Sequence, residues 1–192
     1  MNEKIFFSEN VVLVDAAFLN FVTSELKQYF EQQLKRPLSV IDVSELFTYL
    51  ALDASITEGK NEIQTLLVFD EESENLVDCQ PSALSSELNN VAFANQFGEF
   101  TFASVCCAGL VTREALFLDL LRLTIDAAPV KKILILSFNE EYGARISQTL
   151  KGVKEKEIVQ FRLNEPEGTV DYRWEMLAYP VMQALGIQGE EL

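Results

Sequence analysis

Two apolar stretches that end abruptly in polar residues carry the prediction of the fold. Val11–Val14 is a short apolar run that ends at Asp15, and Ile133–Leu136 is a second run that ends at Ser137. Continuous apolar runs of about four to eight residues are typical of strands buried on both faces of a parallel sheet. We therefore expect two central parallel strands whose carboxyl ends bring polar side chains to one edge of the sheet.

The rest of the chain alternates between helical and extended patterns. Apolar residues recur at helical spacing from about Phe18 to Leu34, with Glu and Lys on the other face. The further predicted elements are an extended piece at 38–43, a helix from 44, strands at 62–69, 100–107 and 157–163, and helices at 81–93, 113–127, 143–150 and about 171–187. This order predicts a single α/β domain over residues 1–192, a three-layer sandwich with a mostly parallel five-stranded sheet.

The charge balance narrows the function classes. The chain has 15 basic and 30 acidic residues, a net charge of −15, and no histidine. A field of this sign repels polyphosphates and anionic headgroups, so we expect neither charge-driven nucleic-acid binding nor membrane binding. Without histidine, the usual zinc sites and the Ser-His-Asp and Cys-His arrangements are excluded. A metal-dependent nuclease stays open, because bound cations can reverse the local sign.

The compartment is predicted from the cysteines and the apolar runs. No stretch approaches the roughly 20 apolar residues that span a bilayer, and Asp15 precedes any signal-like segment. The three cysteines, an odd number with two adjacent at Cys106 and Cys107, fit a reducing compartment and core positions. We therefore expect a cytoplasmic protein.

Acidic and polar residues follow the ends of the predicted strands and define the candidate site. They are Asp15, the acidic run 70–72, Ser137, Asn139, Glu140 and Glu141, with Asp119 inside an otherwise apolar helix. Carboxylates gathered at strand ends suit Mg²⁺ or Mn²⁺, which can activate water for phosphodiester attack. Alternatively, the carboxylates only cap helices or occupy their first turns. We expect the acidic run 70–72 to be solvated surface.

Nucleotide-binding and hydrolase motifs are missing from these positions. The first strand is followed by bulky residues, including Phe18, where a pyrophosphate would need bare backbone, and no P-loop occurs. Ser137 lacks the flanking glycines and the histidine of a nucleophile elbow. We therefore do not expect a dinucleotide enzyme, a P-loop enzyme or a serine hydrolase.

Taken together, the stretches resemble the NYN branch of the PIN-like ribonuclease superfamily over residues 10–163. Members have a first strand ending in Asp, a late helix with two Asp residues, and a strand ending in a Ser-Gly-Asp-x-Asp-Phe turn. Here 11–15, 113–119 and 133–142 resemble these elements in order. The resemblance implies a Rossmannoid fold and Asp15, Asp119 and Glu141 as metal ligands and catalytic residues, with Mg²⁺ or Mn²⁺ as cofactor. Ser137, Asn139 and Glu140 are further crevice candidates.

Several motif positions depart from the family pattern. Asn139 replaces the first Asp of the turn, Arg113 stands where the first helical Asp would be, Phe138 replaces the Gly, and Phe18 replaces a polar residue. A cage reduced by two charges should bind a divalent cation more weakly, because ligand charge tunes affinity. The departures favour a fold that has lost or altered its nuclease chemistry.

Three functions remain open at this point. The preferred one is a catalytically degenerate PIN/NYN-like protein that acts as a binding or interaction module, with a second copy or another protein as partner. The second is a divalent-metal-dependent ribonuclease with a metal-bound water as nucleophile. The third is an α/β domain that binds a small molecule or nucleotide in the same crevice.

Overall fold

The central sheet has seven strands, two more than predicted. The structure is a computed structural model that describes residues 5–192. The strands are β1 (Asn10–Asp15), β2 (Ile41–Asp42), β3 (Asn61–Phe69), β4 (Cys79–Gln80), β5 (Val91–Asn95), β6 (Gly98–Cys106), β7 (Lys132–Leu136), β8 (Glu157–Arg162) and β9 (Arg173–Met176). The helices are α1 (Ala16–Leu34), α2 (Val43–Asp53), α3 (Arg113–Asp126), α4 (Asn139–Leu150) and α5 (Ala178–Ala184).

The order of the strands creates one crevice near the middle of the sheet. The order is β5-β6-β3-β1-β7-β8-β9, and every neighbouring pair is parallel except β5 with β6. β2 and β4 form a separate two-stranded sheet. The chain winds outward from β1 in one direction and then from β7 in the other, so a switch point lies between these strands. Ligand crevices of open α/β sheets lie at the carboxyl side of such a point.

Two layers of helices cover the sheet and produce two cores. On one face, residues of α1, α2 and α5, such as Phe18, Leu46 and Val181, pack with Val12 and Val14 of β1. On the other face, residues of α3 and α4, such as Phe117 and Ile146, pack with Val11 and Leu13. The alternating side chains of one fully buried strand therefore serve both cores, which confirms the predicted α/β class with a mostly parallel sheet.

The predicted helix at 81–93 is wrong. This stretch contains turns, and Val91–Asn95 forms the antiparallel edge strand β5. Serine and asparagine are frequent in 82–90, and such side chains compete with a helix by bonding the backbone. Ser82 Oγ donates to the carbonyl of Leu76 at 2.9 Å, and Asn89 accepts from the backbone N–H of Ser104 at 3.0 Å.

The last predicted helix is too long, and its first part accounts for the seventh strand. Arg173–Met176 pairs with β8, and the helix covers only Ala178–Ala184. The spacing of apolar residues could not predict this pairing, because it depends on where the unpaired edge of β8 lies in the folded protein. Among the helices that the structure describes, none combines the length and apolar character that a bilayer crossing requires.

Candidate functional site

Asp15 lies at the carboxyl end of β1, next to the switch point, and its side chain is fully buried. It is also the N-cap of α1, because its Oδ1 accepts from the backbone N–H groups of Ala17 at 3.0 Å and Phe18 at 3.3 Å. The predicted capping role of Asp15 is therefore confirmed. A buried carboxylate is stable only when it is paired and hydrogen-bonded, and the partners of Asp15 come from α3 and α4.

Arg113, the first residue of α3, connects three carboxylates. Its Nε lies 2.9 Å from Oδ1 and 3.0 Å from Oδ2 of Asp15. Its Nη1 donates to Oδ2 of Asp70 at 2.6 Å, and its Nη2 donates to Oε2 of Glu141 at 2.6 Å. Each nitrogen of the guanidinium thus serves a different carboxylate in the fixed planar geometry of arginine, whereas a lysine ammonium would have to donate to all three from one nitrogen.

Tyr142 of α4 completes this group. Its hydroxyl donates to Oδ2 of Asp15 at 2.5 Å, and its ring packs 5.7 Å from the ring of Phe117. Burial, then the charge and hydrogen bond of Asp15, raises the pKa of Tyr142, so the hydroxyl stays a proton donor. We call Arg113, Asp15, Asp70, Glu141 and Tyr142 the Arg113 cluster.

The ends of several helices bring the cluster together. Asp15 caps α1, Asp70 caps the short 3₁₀ helix Glu71–Ser73, and Glu141 lies in the first turn of α4. Negative charge is favourable at a helix N-terminus, so each carboxylate is also locally stabilised. Arg113 is at the N-terminal end of α3, where a positive charge is unfavourable. The three ion pairs offset this local cost.

The electrostatics of the cluster favour a permanently charged guanidinium. Burial opposes the charge of Arg113, but the carboxylates outweigh it and raise the pKa of this arginine further. Burial likewise opposes the charge of Asp70, yet hydrogen bonds from Ser73 and Arg113 lower the pKa of its carboxyl. The exposed fraction of the side chain rises from 0% at Asp15 to 29% at Asp70 and 49% at Glu141. The cluster therefore runs from the core to the surface.

An acidic groove of about 520 Å³ opens beside the cluster. Its lining includes Glu71, Glu72 and Glu114 together with Asp70, Glu141 and the backbone of the loop that follows β6. Burial and the nearby charge of Asp70 raise the pKa of the Cys107 thiol in this lining. Cys107 is therefore not an activated nucleophile, because nucleophilic cysteines need a lowered pKa.

Aromatic side chains occupy the other side of the switch point. Phe138 packs against Phe18, with ring centroids 5.5 Å apart, and stacks on Phe21 at 5.4 Å. Phe18 is buried, whereas Phe21 is 40% exposed. The two bulky residues that depart from the nuclease motif thus fill the space between α1 and the turn that follows β7.

The other residues of that turn form a separate internal network. Ser137 is buried, and its Oγ donates to Oδ1 of Asn139 at 2.8 Å. Gln160 Nε2 donates to the same oxygen at 3.1 Å. Glu140 is exposed in the first turn of α4. Ser137, Asn139 and Glu140 therefore have positions that support the turn, and none of them bonds to the Arg113 cluster.

Asp119 is the predicted site residue that the structure places elsewhere. Its side chain is 67% exposed and accepts from Nη1 of Arg122 at 3.1 Å. It lies six residues beyond Arg113 on α3, about 9 Å along the helix axis, and borders a different surface depression with Arg145. The structure thus brings Asp15 and Glu141 together around one arginine but does not bring Asp119 to them.

The expectation that the run 70–72 is solvated surface is wrong for Asp70, whose carboxylate pairs with Arg113, whereas Glu71 and Glu72 are exposed. Asp70 directly follows β3, and β3 is the neighbour of β1 in the sheet. A residue that directly follows a strand lies near residues that follow the neighbouring strands, but the neighbours are unknown before the strand order is known. The position of Asp70 directly after an apolar strand was the only available signal.

The residues present do not fit the Mg²⁺ or Mn²⁺ ion that the resemblance implies. Both oxygens of Asp15 already accept from protein donors, including Tyr142 and Arg113. The guanidinium contacts the three carboxylates of the cluster, Asp15, Asp70 and Glu141, and it carries a positive charge itself. A divalent cation would have to displace it and break those ion pairs.

The chain belongs to the family described as a family of unknown function, DUF6621, which matches residues 4–192. No curated protein and no solved structure matches the chain.

Proposed function

We propose that the protein is a PIN/NYN-like domain in which Arg113 has taken the place of the catalytic cation, and that it acts as a binding or interaction module. The observation that carries the proposal is the set of three ion pairs from one guanidinium to Asp15, Asp70 and Glu141. These contacts supply internally the positive charge that a metal ion would supply in a nuclease of this fold.

The PIN-like part of the proposal rests on the position of the acidic residues in the sheet. Asp15 ends the first strand, β1 lies between β3 and β7, and the turn after β7 leads into α4 with Glu141 in its first turn. The positions of Asp15 and Glu141 are those that the resemblance implies for the nuclease site, whereas its third ligand, Asp119, lies elsewhere. The departures at Arg113 and Phe138 lie at the same switch point, and both fill it with side chains.

The loss of metal chemistry follows from charge and geometry. An incoming cation is repelled by the guanidinium, and it can bind all three carboxylates only if it displaces Arg113 from them. The displaced guanidinium would lose its three ion pairs, one of them with the fully buried Asp15. A metal ion must compensate for this loss before its own binding becomes favourable.

Ligand binding at the switch point itself is disfavoured by the same packing. Phe138 lies against Phe18 and Phe21 on one side, and Arg113 with Tyr142 occupies the other. The small-molecule alternative therefore has little space at the position where open α/β sheets usually bind their ligands. This arrangement fits better with a domain whose acidic residues are paired with Arg113 and whose function lies at its surface.

The proposal is tested by metal titration and by an RNA cleavage assay. The purified protein should give no binding heat with millimolar Mn²⁺ or Mg²⁺ in calorimetry, and it should leave single-stranded RNA intact in the presence of Mn²⁺. Asp15→Asn serves to identify a contaminating nuclease, because any background cleavage should be the same in both proteins. Cleavage by the wild type that disappears in Asp15→Asn would show that the protein is a metal-dependent ribonuclease.

A further inference from the structure

The hairpin β5–β6 and its flanking loops form an uncharged edge of the molecule. Residues 88–112 contain a single charged residue, Glu99, although 23% of the chain is charged. The strand β5 itself reads Val-Ala-Phe-Ala-Asn. Val91, Ala92 and Ala94 are exposed, so burial does not explain the absence of charged residues from this strand.

β5 is an open edge without the usual protection. In the part of the chain that the structure describes, β5 pairs with β6 on one side and with no strand on the other. Soluble proteins normally protect such edges with lysine, proline or other charged residues, since an open edge can pair with another chain. The opposite edge, β9, follows that rule: Arg173 and Glu175 form an ion pair there, and Arg173 also donates to the carbonyl of Asp53.

We propose that β5 pairs with β5 of a second copy of this chain. A twofold axis through Phe93 would make the pairing antiparallel, and the sheet would continue from one copy into the other. In this register Phe93 faces the partner's Phe93, Ala92 faces the partner's Ala94, and Val91 faces the partner's Asn95. Every residue of the strand then has a partner, and no charged side chain lies within the pair. The pairing rests on the proposed role as an interaction module, but it does not use the Arg113 cluster, so the metal and RNA assays and the dimerisation assay can fail separately.

The charge of the whole molecule limits which of its surfaces can contact a second copy. Two molecules that each carry a charge of −15 repel one another, and a contact between their acidic surfaces would be costly. The nearest charge to the axis within the hairpin is Glu99, opposite Ala94 on β6. The Cα atoms of the two copies of Glu99 would be at least about 14 Å apart, three strand spacings, which exceeds the Debye length of about 10 Å at 0.1 M salt. A basic partner would instead be drawn to the acidic surfaces.

A largely apolar groove beside β5 extends the surface available for this contact. It has a volume of about 610 Å³ and is lined by apolar residues such as Val40, Pro81 and Val91, with the carboxylates of Asp42 and Glu87 also in the lining. Pairing of two five-residue strands alone buries less than the roughly 1,200 Å² of a typical stable interface. The rims of the two grooves, which lie next to the axis, would contribute the remaining apolar area.

A charge-swap experiment tests the pairing and its register. Sedimentation equilibrium of the wild type should show a concentration-dependent dimer. The double variant Ala92→Lys, Ala94→Lys places like charges opposite one another twice, and the double variant Ala92→Glu, Ala94→Glu does the same with the opposite sign. Each should raise the dimer dissociation constant at least tenfold. An equimolar mixture of the two should form a heterodimer, because lysine then faces glutamate.

Two controls keep the result specific. Tyr179→Lys adds a positive charge at a side chain that is 65% exposed on α5, away from β5, and should leave the dimer intact. In the wild type, amide hydrogen exchange of β5 should slow at concentrations at which the dimer forms, a measurement that needs no variant. A wild type that stays monomeric at 200 μM, a dimer that persists in the double variants, or a mixture that fails to associate would each overturn the proposal.

Discussion

At the scale of single residues, Arg113 decides what the carboxyl edge of the sheet can do. Its side chain is only 15% exposed and compensates the buried charge of Asp15. The cluster still has three carboxylates against one guanidinium, so it remains acidic overall. Removing the arginine should therefore both destabilise the protein and uncover a site that attracts cations.

Arg113→Met tests this directly, because methionine retains most of the apolar stem and removes the charge. We expect the free energy of unfolding at pH 7 to fall by about 3–5 kcal/mol, since Asp15 stays buried without its counter-charge. Millimolar Mn²⁺ should raise the melting temperature of this variant and not that of the wild type, because a cation that binds only the folded state stabilises it. Chemical denaturation and thermal melts with and without Mn²⁺ provide both measurements.

Arg122→Met is the matched control on the same helix. Arg122 also pairs with an aspartate, Asp119, but both side chains are more than half exposed. Such a surface pair contributes about 0–1 kcal/mol, so this variant should behave like the wild type in both assays. If Mn²⁺ fails to stabilise folded Arg113→Met, the carboxylates are not arranged to share a cation, and the comparison of Arg113 with a metal ion is wrong.

Asp70 should give the stability of the protein a specific acid dependence. Its pKa is lowered in the folded state, where hydrogen bonds from Ser73 and Arg113 favour the carboxylate over the opposing effect of burial. A lowered folded-state pKa means that its stabilisation is fully present above the unfolded pKa of about 3.9 and is lost as the pH falls through the folded value. The difference in stability between wild type and Asp70→Asn should therefore be constant from pH 5 to 7 and shrink below pH 4.

Urea denaturation at pH 7, 5, 4 and 3 measures this difference. Asp119→Asn is a suitable comparison, because Asp119 is largely exposed and pairs only with the exposed Arg122. Its difference from the wild type should be small throughout the pH range. A difference for Asp70→Asn that stays unchanged down to pH 3 would show that Asp70 is not held as a carboxylate by the cluster.

At the scale of elements, local patterns predicted the buried strands well. The predicted strands at 62–69, 100–107 and 157–163 correspond to β3, β6 and β8 within a few residues. The two apolar runs at 11–14 and 133–136 correspond to β1 and β7. Their apolar runs are continuous because helices cover both faces of the sheet, and this burial is visible in the sequence. The edge strands β5 and β9 were missed, because an edge strand is half exposed and its pairing depends on the neighbour.

The site was predictable only as far as chain order allows. Asp15 and Glu141 follow central strands directly, so their proximity could be expected from the parallel sheet. The ion pair between Asp70 and Arg113 could not be predicted, because it requires β3 to lie beside β1. In the sequence, Arg113 only marks the absence of an expected aspartate. In the structure, its guanidinium pairs with three carboxylates. That role depends on where the N-terminal end of α3 lies in space.

Gly98 is the position where the backbone of the hairpin tolerates no side chain. It has a φ of +132°, and a Cβ atom there would lie 2.1 Å from the backbone oxygen of Asn61. Gly98→Ala should therefore destabilise the protein by more than about 3 kcal/mol, because both the φ value and the contact with β3 would have to change. Gly189→Ala is the control, since its Cβ would meet nothing within 4 Å and its φ is not positive.

Soluble yield and urea midpoints compare the two glycine variants. Gly189→Ala should unfold within about 0.5 kcal/mol of the wild type, as is usual for surface substitutions. The hairpin carries β5, so a destabilised Gly98→Ala protein that still folds should also lose the β5 pairing. A Gly98→Ala protein with wild-type stability would show that the backbone of the β5–β6 turn differs from the one described.

At the scale of the whole molecule, the net charge of −15 opposes both the compact state and the association of two copies. Self-repulsion of a highly charged chain destabilises the compact state and keeps molecules apart. The Arg113 cluster resists screening because its innermost pair is buried, whereas exposed charges are screened beyond about 10 Å at 0.1 M salt. Added salt should therefore weaken long-range repulsion more than it weakens the cluster.

This difference predicts how dimerisation depends on ionic strength. An interface formed by complementary charges weakens as salt is added, because its attraction is screened. Pairing through the uncharged β5 edge has no such attraction to lose, and the repulsion between the two acidic molecules is reduced. The dimer dissociation constant should therefore fall, by about tenfold or less, between 20 mM and 300 mM NaCl, as measured by sedimentation equilibrium at pH 7.5. A dissociation constant that rises with salt would mean that charged surfaces, and not β5, hold the two copies together.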